Sequence, residues 1–230
     1  MNVRRNIHAV VPIKDTGDAK RRLAGVLNGA RRQQLALAMC EDVLATLTGV
    51  RELAGIVVVT VDPAAAVMAA RYGARVSSAG AREGHTCAVA AAARELAREG
   101  MLTVPADIPL VEGDDIRELI DVHRRTTRDA RAFTIVPARD ERGSNAILCS
   151  PAGAVPLRFG ADSFVPHLAA AKRCAIEPTV VHLPRIALDI DTPDDVAKFL
   201  ATPSSTRARA LLERWRVRLD QGMSPTATTA

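Results

Sequence analysis

Two kinds of residue in this 230-residue chain are placed for chemistry. The first is lysine. Of 31 basic side chains only four are lysines, at 14, 20, 172 and 198, and two of the four close off one short stretch, Lys14-Asp-Thr-Gly-Asp-Ala-Lys20. Lysine carries a compact ammonium on a flexible stem, whereas arginine carries a rigid planar fork. An arginine-rich chain that sets two lysines just after the apolar run 7–12 offers point charges where a phosphate could sit. Two solvated surface lysines are the everyday alternative for that stretch taken alone.

The second kind is aspartate at the end of an apolar run. Asp107 lies in Pro105-Ala-Asp-Ile-Pro109, and Asp189 and Asp191 lie in Leu188-Asp-Ile-Asp-Thr-Pro193. On a strand over 186–190, positions 189 and 191 point to the same face. Carboxylates so placed repel unless a cation lies between them. Magnesium suits the pair, because it takes a few carboxylate oxygens together with substrate phosphates and water. Asp107 joins them if the sheet segments are neighbours. Asp107 as a turn residue and Asp191 as a helix cap are the ordinary roles. Asp189 is harder to place that way, since it interrupts an apolar run where an unpaired charge is costly. Together with the two lysines, the metal reading becomes the better one.

The elements that must position these groups follow from periodicity. Strands are expected at 7–12, 55–61, 74–76, 101–105 and 132–137, alternating with helices at 31–47, 62–71, 86–98 and 114–125. Leu35, Met39, Val43 and Leu47 mark the buried stripe of the first helix. This rhythm implies an α/β fold, a mainly parallel sheet with ligands beyond the carboxyl ends of its strands. After residue 137 the rhythm changes: a strand at 145–149, a loop at 158–164, a helix at 165–172, strands at 179–183 and 186–190, and a helix starting at 191–195. The chain therefore divides into an α/β domain over 1–203, an amphipathic helix over 204–220 and a disordered tail over 221–230. Leu211, Leu212, Trp215 and Leu219 form the apolar side of that helix, to be packed on its own domain or on a second subunit.

Composition narrows the function classes. The net charge of +5 allows an anionic substrate or a nucleic acid, but aromatics at 3% argue against base stacking on aromatic platforms. Cys40, Cys87, Cys149 and Cys174 form no CxxC pair and give no zinc spacing. No leader-like segment or spanning apolar run is evident, so a soluble, cytoplasmic protein is expected, with no membrane partner. His85 and His167 are read as loop or helix-surface residues.

Five motifs in order carry a resemblance: Val11-Pro-Ile-Lys14 with Ala19-Lys-Arg-Arg-Leu23, Pro105-Ala-Asp107-Ile-Pro109, Gly143-Ser-Asn145, Arg158-Phe-Gly160-Ala-Asp-Ser163, and Leu188-Asp189-Ile-Asp191-Thr-Pro193. From about residue 7 to about 200 the chain resembles the phospholactate guanylyltransferases of deazaflavin coenzyme F-420 biosynthesis. The resemblance implies a single-domain nucleotidyltransferase fold like that of nucleotide-diphosphosugar transferases, with helices on both faces of the sheet. It implies that Asp107, Asp189 and Asp191 hold Mg²⁺ and that Lys14 and Lys20 bind the triphosphate of GTP, with Pro12 and Gly84 nearby. Lys14, Lys20 and Asp107 are the catalytic residues on this reading, and Asn145, Gly160 and Ser163 hold a phosphorylated three-carbon acid.

Two departures stand out. Gly84-His85-Thr86 replaces a common Gly-Leu-Asn, and Arg142-Gly-Ser-Asn145 replaces a Gly-Thr-Gly-Thr-like turn. The acceptor is thus left among 2-phospholactate, phosphoenolpyruvate and 3-phosphoglycerate, with the last two preferred. The implied reaction is attack of the acid's phosphate on the α-phosphorus of GTP with loss of pyrophosphate. A homodimer and hand-over of the product to the next enzyme of the pathway fit this reading. The rivals are another nucleotidyltransferase of the same fold, of molybdenum-cofactor or sugar-phosphate type, and a non-catalytic nucleotide- or RNA-binding protein.

Overall fold

A computed structural model describes residues 6–127 and 130–217. The apolar runs become a seven-stranded sheet with β1 (Ile7–Ile13) near its middle. On one side of β1 lie β2 (Leu53–Thr60) and then β3 (Arg75–Ser77); on the other lies β4 (Gly100–Thr103), and all four are parallel. β6 (Ser144–Ser150) then runs antiparallel to both β4 and β5 (Ala132–Pro137), and β7 (Pro178–Val180) is parallel to β5. The change of rhythm after residue 137 is this reversal.

Continuous apolar strands are needed because both faces are covered. Ala9, Val11 and Ile13 pack with α1 (Gly29–Thr48), α2 (Pro63–Arg71) and α4 (Gly113–Thr126). Val10, Val57 and Val59 point the other way, to α3 (His85–Leu96). Phe133, Ile135 and Ile147 continue that face against α5 (Phe164–Arg173). The expected stripe Leu35, Met39, Val43 and Leu47 is buried throughout. Asp62 caps α2 by accepting from Ala65 N at 2.9 Å, with proline at the first turn.

The strand expected at 186–190 does not form. Pro184 starts a single helical turn, α6 (Pro184–Ala187), because its fixed φ suits a first turn. The chain from Leu188 to Thr192 then runs outside any ladder, held by Ile190 N donating to Asp107 O at 3.0 Å. α7 (Pro193–Ala201) follows, capped by Thr192 in a reciprocal box with Asp195.

The tail helix is shorter than 204–220: α8 spans Arg207–Arg214, and the chain turns at Trp215 and Arg216. Leu219 and the tail 221–230 lie outside the described residues. α8 packs on its own domain, where Leu212 joins Leu35, Met39, Val196 and Phe199, and the Arg31 guanidinium sits 5.5 Å over the Trp215 ring. Its first turn is met by Asp42 of α1, which is 6% exposed and accepts from Arg207 N at 2.9 Å and Ala208 N at 3.0 Å. Burial pushes the Asp42 carboxyl up, against the hydrogen bonds from Ala208 and Arg207 that favour its charge. Asp42→Ala strands two amide donors and should cost about 2–4 kcal/mol. Asp42→Asn, which keeps an acceptor, should cost less than half of that in urea melts. Equal losses would show that one acceptor oxygen is not enough and that both carboxylate oxygens, or the charge, are needed at position 42.

Candidate active site

The lysine loop leaves β1 at its carboxyl end and is pinned from below. Thr16, buried, donates to Asp62 Oδ2 from its amide at 2.7 Å and from its hydroxyl at 2.5 Å. Lys14 stays exposed, but Lys20 turns inward. Its backbone is left-handed, at φ 53° and ψ 44°, a conformation a non-glycine residue adopts only at a cost. That turn delivers the ammonium between two carboxylates: Lys20 Nζ donates to Asp107 Oδ2 at 2.6 Å and to Asp191 Oδ1 at 2.7 Å. Burial alone would lower the lysine's pKa; the Asp107 and Asp191 charges override it and the net shift is upward. Asp191 moves the other way, since Lys20 outweighs its burial and holds the carboxyl low.

Lys20 bridges Asp107 and Asp191, and the charges of both act on Asp189. Asp107 follows β4 and is tied to the 188–192 segment by the Ile190 amide. Asp189 accepts from Asn145 Nδ2 at 3.1 Å, and the same amide nitrogen donates to Ile186 O at 2.9 Å. Asn145, expected to hold the acid, thus spends its amide on bracing Asp189. Burial, followed by the neighbouring Asp107 charge, pushes the Asp189 carboxyl up. Asp107 Oδ1 is buried without a hydrogen-bond partner among the described residues. Among those residues, no three acidic, histidine or cysteine side chains stand as a ready cage, and the Lys20 ammonium bonds to both Asp107 and Asp191. A reluctant carboxylate and an orphaned carboxylate oxygen, side by side, are nevertheless what a divalent cation would satisfy.

Two cavities flank this cluster and share Arg22 and Asp191. One, of about 450 Å³, is lined by Pro12, Lys14, Lys20, His85 and Asp107; Gly84 is not on that wall and lines a separate small pocket with Pro12, Lys14 and His85. Gly84 precedes α3 at φ 96°, which favours glycine. The other, of about 750 Å³, is lined by Asn145, Gly160, Ser163 and Asp189, with Arg139 and Arg142 at its rim. Pro12, Lys14 and Lys20 thus line one space and Asn145, Gly160 and Ser163 its neighbour, while Gly84 lines neither. Arg22, Arg142 and Ser144 stand in motifs read from the sequence but were given no role there, and neither was Arg139.

Neither histidine is an idle surface residue. His167 is 1% exposed on α5, and burial lowers its pKa to about 4. His85 lines the nucleotide-side cavity and packs on Phe159 with centroids 4.4 Å apart; burial, then Lys14, lower it to about 4. No helix among the described residues is long and apolar enough to cross a membrane.

This fold is that of nucleotide-diphosphosugar transferases. A putative nucleotide-diphospho-sugar transferase from Desulfovibrio desulfuricans superposes with a TM-score of 0.68 at 19% identity, over 90% of this chain and 94% of that one. The chain's family match and its guanylyltransferase relatives make it an enzyme of the nucleotidyltransferase class. The family model described as "Guanylyl transferase CofC like" matches residues 7–229, and the chain belongs to that family. A phosphoenolpyruvate guanylyltransferase of Rubrobacter xylanophilus is 36% identical over 203 residues, 86% of this chain and 95% of that protein. A 3-phospho-D-glycerate guanylyltransferase of Colwellia psychrerythraea is 34% identical over 202 residues, 85% and 91% respectively. Guanylyl transfer, implied by the five motifs, is the activity for which the family and these relatives are named, and the match reaches past residue 200 into the arginine-rich tail.

Proposed function

We propose that this chain joins the guanylyl group of GTP to the phosphate of a small phosphorylated three-carbon acid, phosphoenolpyruvate or 3-phosphoglycerate ahead of 2-phospholactate, releasing pyrophosphate in a Mg²⁺-dependent step in the cytoplasm. The observation that carries the reading is the pair of cavities meeting at Arg22 and Asp191, one walled by lysines and the other by serines and rim arginines. Such a division holds two anions with their phosphates facing each other.

On this reading Lys14 and Lys20, with Pro12 and Gly84, hold the triphosphate, and Asn145, Gly160 and Ser163 line the space for the acid. Asp107, Asp189 and Asp191 would hold Mg²⁺, which neutralises charge on attacking and leaving oxygens when bound. A phosphate monoester is already largely ionised near neutral pH, so the nucleophile needs no general base. Neutral, buried histidines fit that requirement. The residues' task is to place the two phosphates in line and to cancel their repulsion.

The test is incubation with Mg²⁺, GTP and each acid in turn, followed by pyrophosphate release and coupled to the next biosynthetic step, to which the product is handed. Release is expected with at least one acid and is abolished by a chelator. No release with any of the three would overturn the reading.

A further inference from the structure

The wall of the larger cavity contains a hydrogen-bond chain whose direction can be worked out. His167 Nε2 lies 3.0 Å from the Arg158 amide nitrogen, and its Nδ1 lies 3.0 Å from Ser144 Oγ. A backbone N–H can only donate, so Nε2 accepts and the ring proton of the neutral imidazole sits on Nδ1. Nδ1–H therefore donates to Ser144. Ser163 Oγ lies 3.3 Å from Ser144 Oγ. Three protons now serve this group: one from His167 and one from each hydroxyl. The first is used on Ser144 and one more between the two serines, which leaves one directed elsewhere. Ser144 and Ser163 both line the cavity, which is the space open to the remaining proton. With the opposite tautomer Ser144 would donate to the ring, Ser163 to Ser144, and nothing would remain for a ligand.

We propose that His167 is a positioning residue whose tautomer, set by the Arg158 amide, makes the Ser144–Ser163 pair a net donor to an oxyanion in this cavity. Resting on the acceptor-site reading above, the inference assigns the pair to the acid's phosphate or carboxylate. The ring is well fixed for this work: Phe159 meets it edge-on with centroids 5.1 Å apart, and the Phe159 amide donates to Thr86 Oγ1 at 3.1 Å. His167 also holds the 158–163 loop in place through the Arg158 amide.

Nitrogen-15 histidine NMR of the full chain, free of substrate at neutral pH, should show His167 as the Nδ1–H tautomer. Its signals should move on addition of inorganic phosphate, and not in Ser144→Ala. An Nε2–H tautomer, or no response in the wild type, would overturn the proposal whatever the enzyme's reaction proves to be. In kinetics, Ser144→Ala should raise the KM for the acid about ten- to a hundredfold, as for a lost hydrogen bond to a charged group, with the KM for GTP within about twofold. His167→Phe should do the same, and the double variant should be no worse than Ser144→Ala alone. His167→Asn, whose amide N–H still reaches Ser144, should recover most of the loss and serves if the Phe variant does not fold. Effects that multiply in the double variant would overturn the positioning role. A wild type that transfers GMP to no acid would instead count against the proposed function, leaving the NMR result to decide this one.

Discussion

Asp189→Asn should lower guanylyl transfer by about a thousandfold or more and leave the chain folded, at equal or slightly higher stability. Two facts at this position pull in opposite directions. The carboxylate is buried beside Asp107, and both effects push its pKa up, so the free protein pays for keeping the charge. Its polar contact is an acceptor contact, Asn145 Nδ2 at 3.1 Å, which an amide oxygen supplies equally well. Asparagine thus removes the electrostatic cost without removing the brace. On the proposed reaction it also removes a ligand charge from the cation, and charge stabilisation of that kind is worth several kcal/mol, or about three powers of ten in rate. Thermal melts and steady-state turnover on the same preparation check both halves. Activity within tenfold of the wild type would remove Asp189 from the metal set; a folded protein with a sharply lowered melting point would make it a structural carboxylate instead.

The expected loss follows from how the site is assembled. Asp107 belongs to the parallel half of the sheet, while Asp189 and Asp191 arrive after the antiparallel half has been added. The Ile190 amide on Asp107 O joins the two. Leu188 and Ile190 alternate with the acids and are buried with Leu23, Leu27 and Phe199. The apolar neighbours of the two aspartates therefore anchor the same segment that presents the charges, and α7 and α8 close over it. Position is fixed by packing, so a change of charge at 189 is felt in chemistry before it is felt in the fold.

Much of this was legible in the residues themselves. The parallel half could be read because β-branched strands buried on both faces leave continuous runs such as Gly55-Ile-Val-Val-Val, and because helix caps such as Asp62-Pro63 announce themselves locally. Leu188-Asp-Ile-Asp imitates a strand by alternation. What defeats that reading is Pro184 upstream and the lack of a neighbouring edge, and the second of these is a tertiary fact. The lysine loop and the three aspartates stood out because lysine is scarce and aspartate in an apolar run is expensive, whereas Gly143-Ser-Asn145 and the motif at 158–163 came only with the family resemblance. The partner of Lys20 was not visible, since an ammonium that could meet a phosphate meets two carboxylates 87 and 171 residues away. His167 was hidden for a similar reason. Nothing in Phe-Val-Pro-His distinguishes a surface turn of helix from one buried under a loop that needs its lone pair.

Lys20→Met should lower kcat/KM for GTP by about a hundredfold or more and, more tellingly, should change how the protein responds to divalent cations. In the free chain the ammonium already supplies the positive charge that Asp107 and Asp191 require, and it holds a left-handed backbone in order to do so. Its removal leaves two carboxylates facing each other. A fully buried pair broken this way costs about 3–5 kcal/mol, but Asp191 is 40% exposed, and solvent screening brings the expectation to about 1–2 kcal/mol. A cation that binds between the same carboxylates must compete with Lys20 in the wild type and meets no such competition in the variant. Mg²⁺ or Mn²⁺ should therefore raise the melting temperature of Lys20→Met more than that of the wild type, by linkage between binding and folding. Lys20→Arg keeps the charge but replaces a point with a planar fork, and should fall between the two in stability while losing most activity. If cations stabilise all three proteins alike, Asp107 and Asp191 do not hold the metal. The left-handed turn at Lys20 then serves only to neutralise two partly exposed acids, and the lysine's role in catalysis rests on the triphosphate alone.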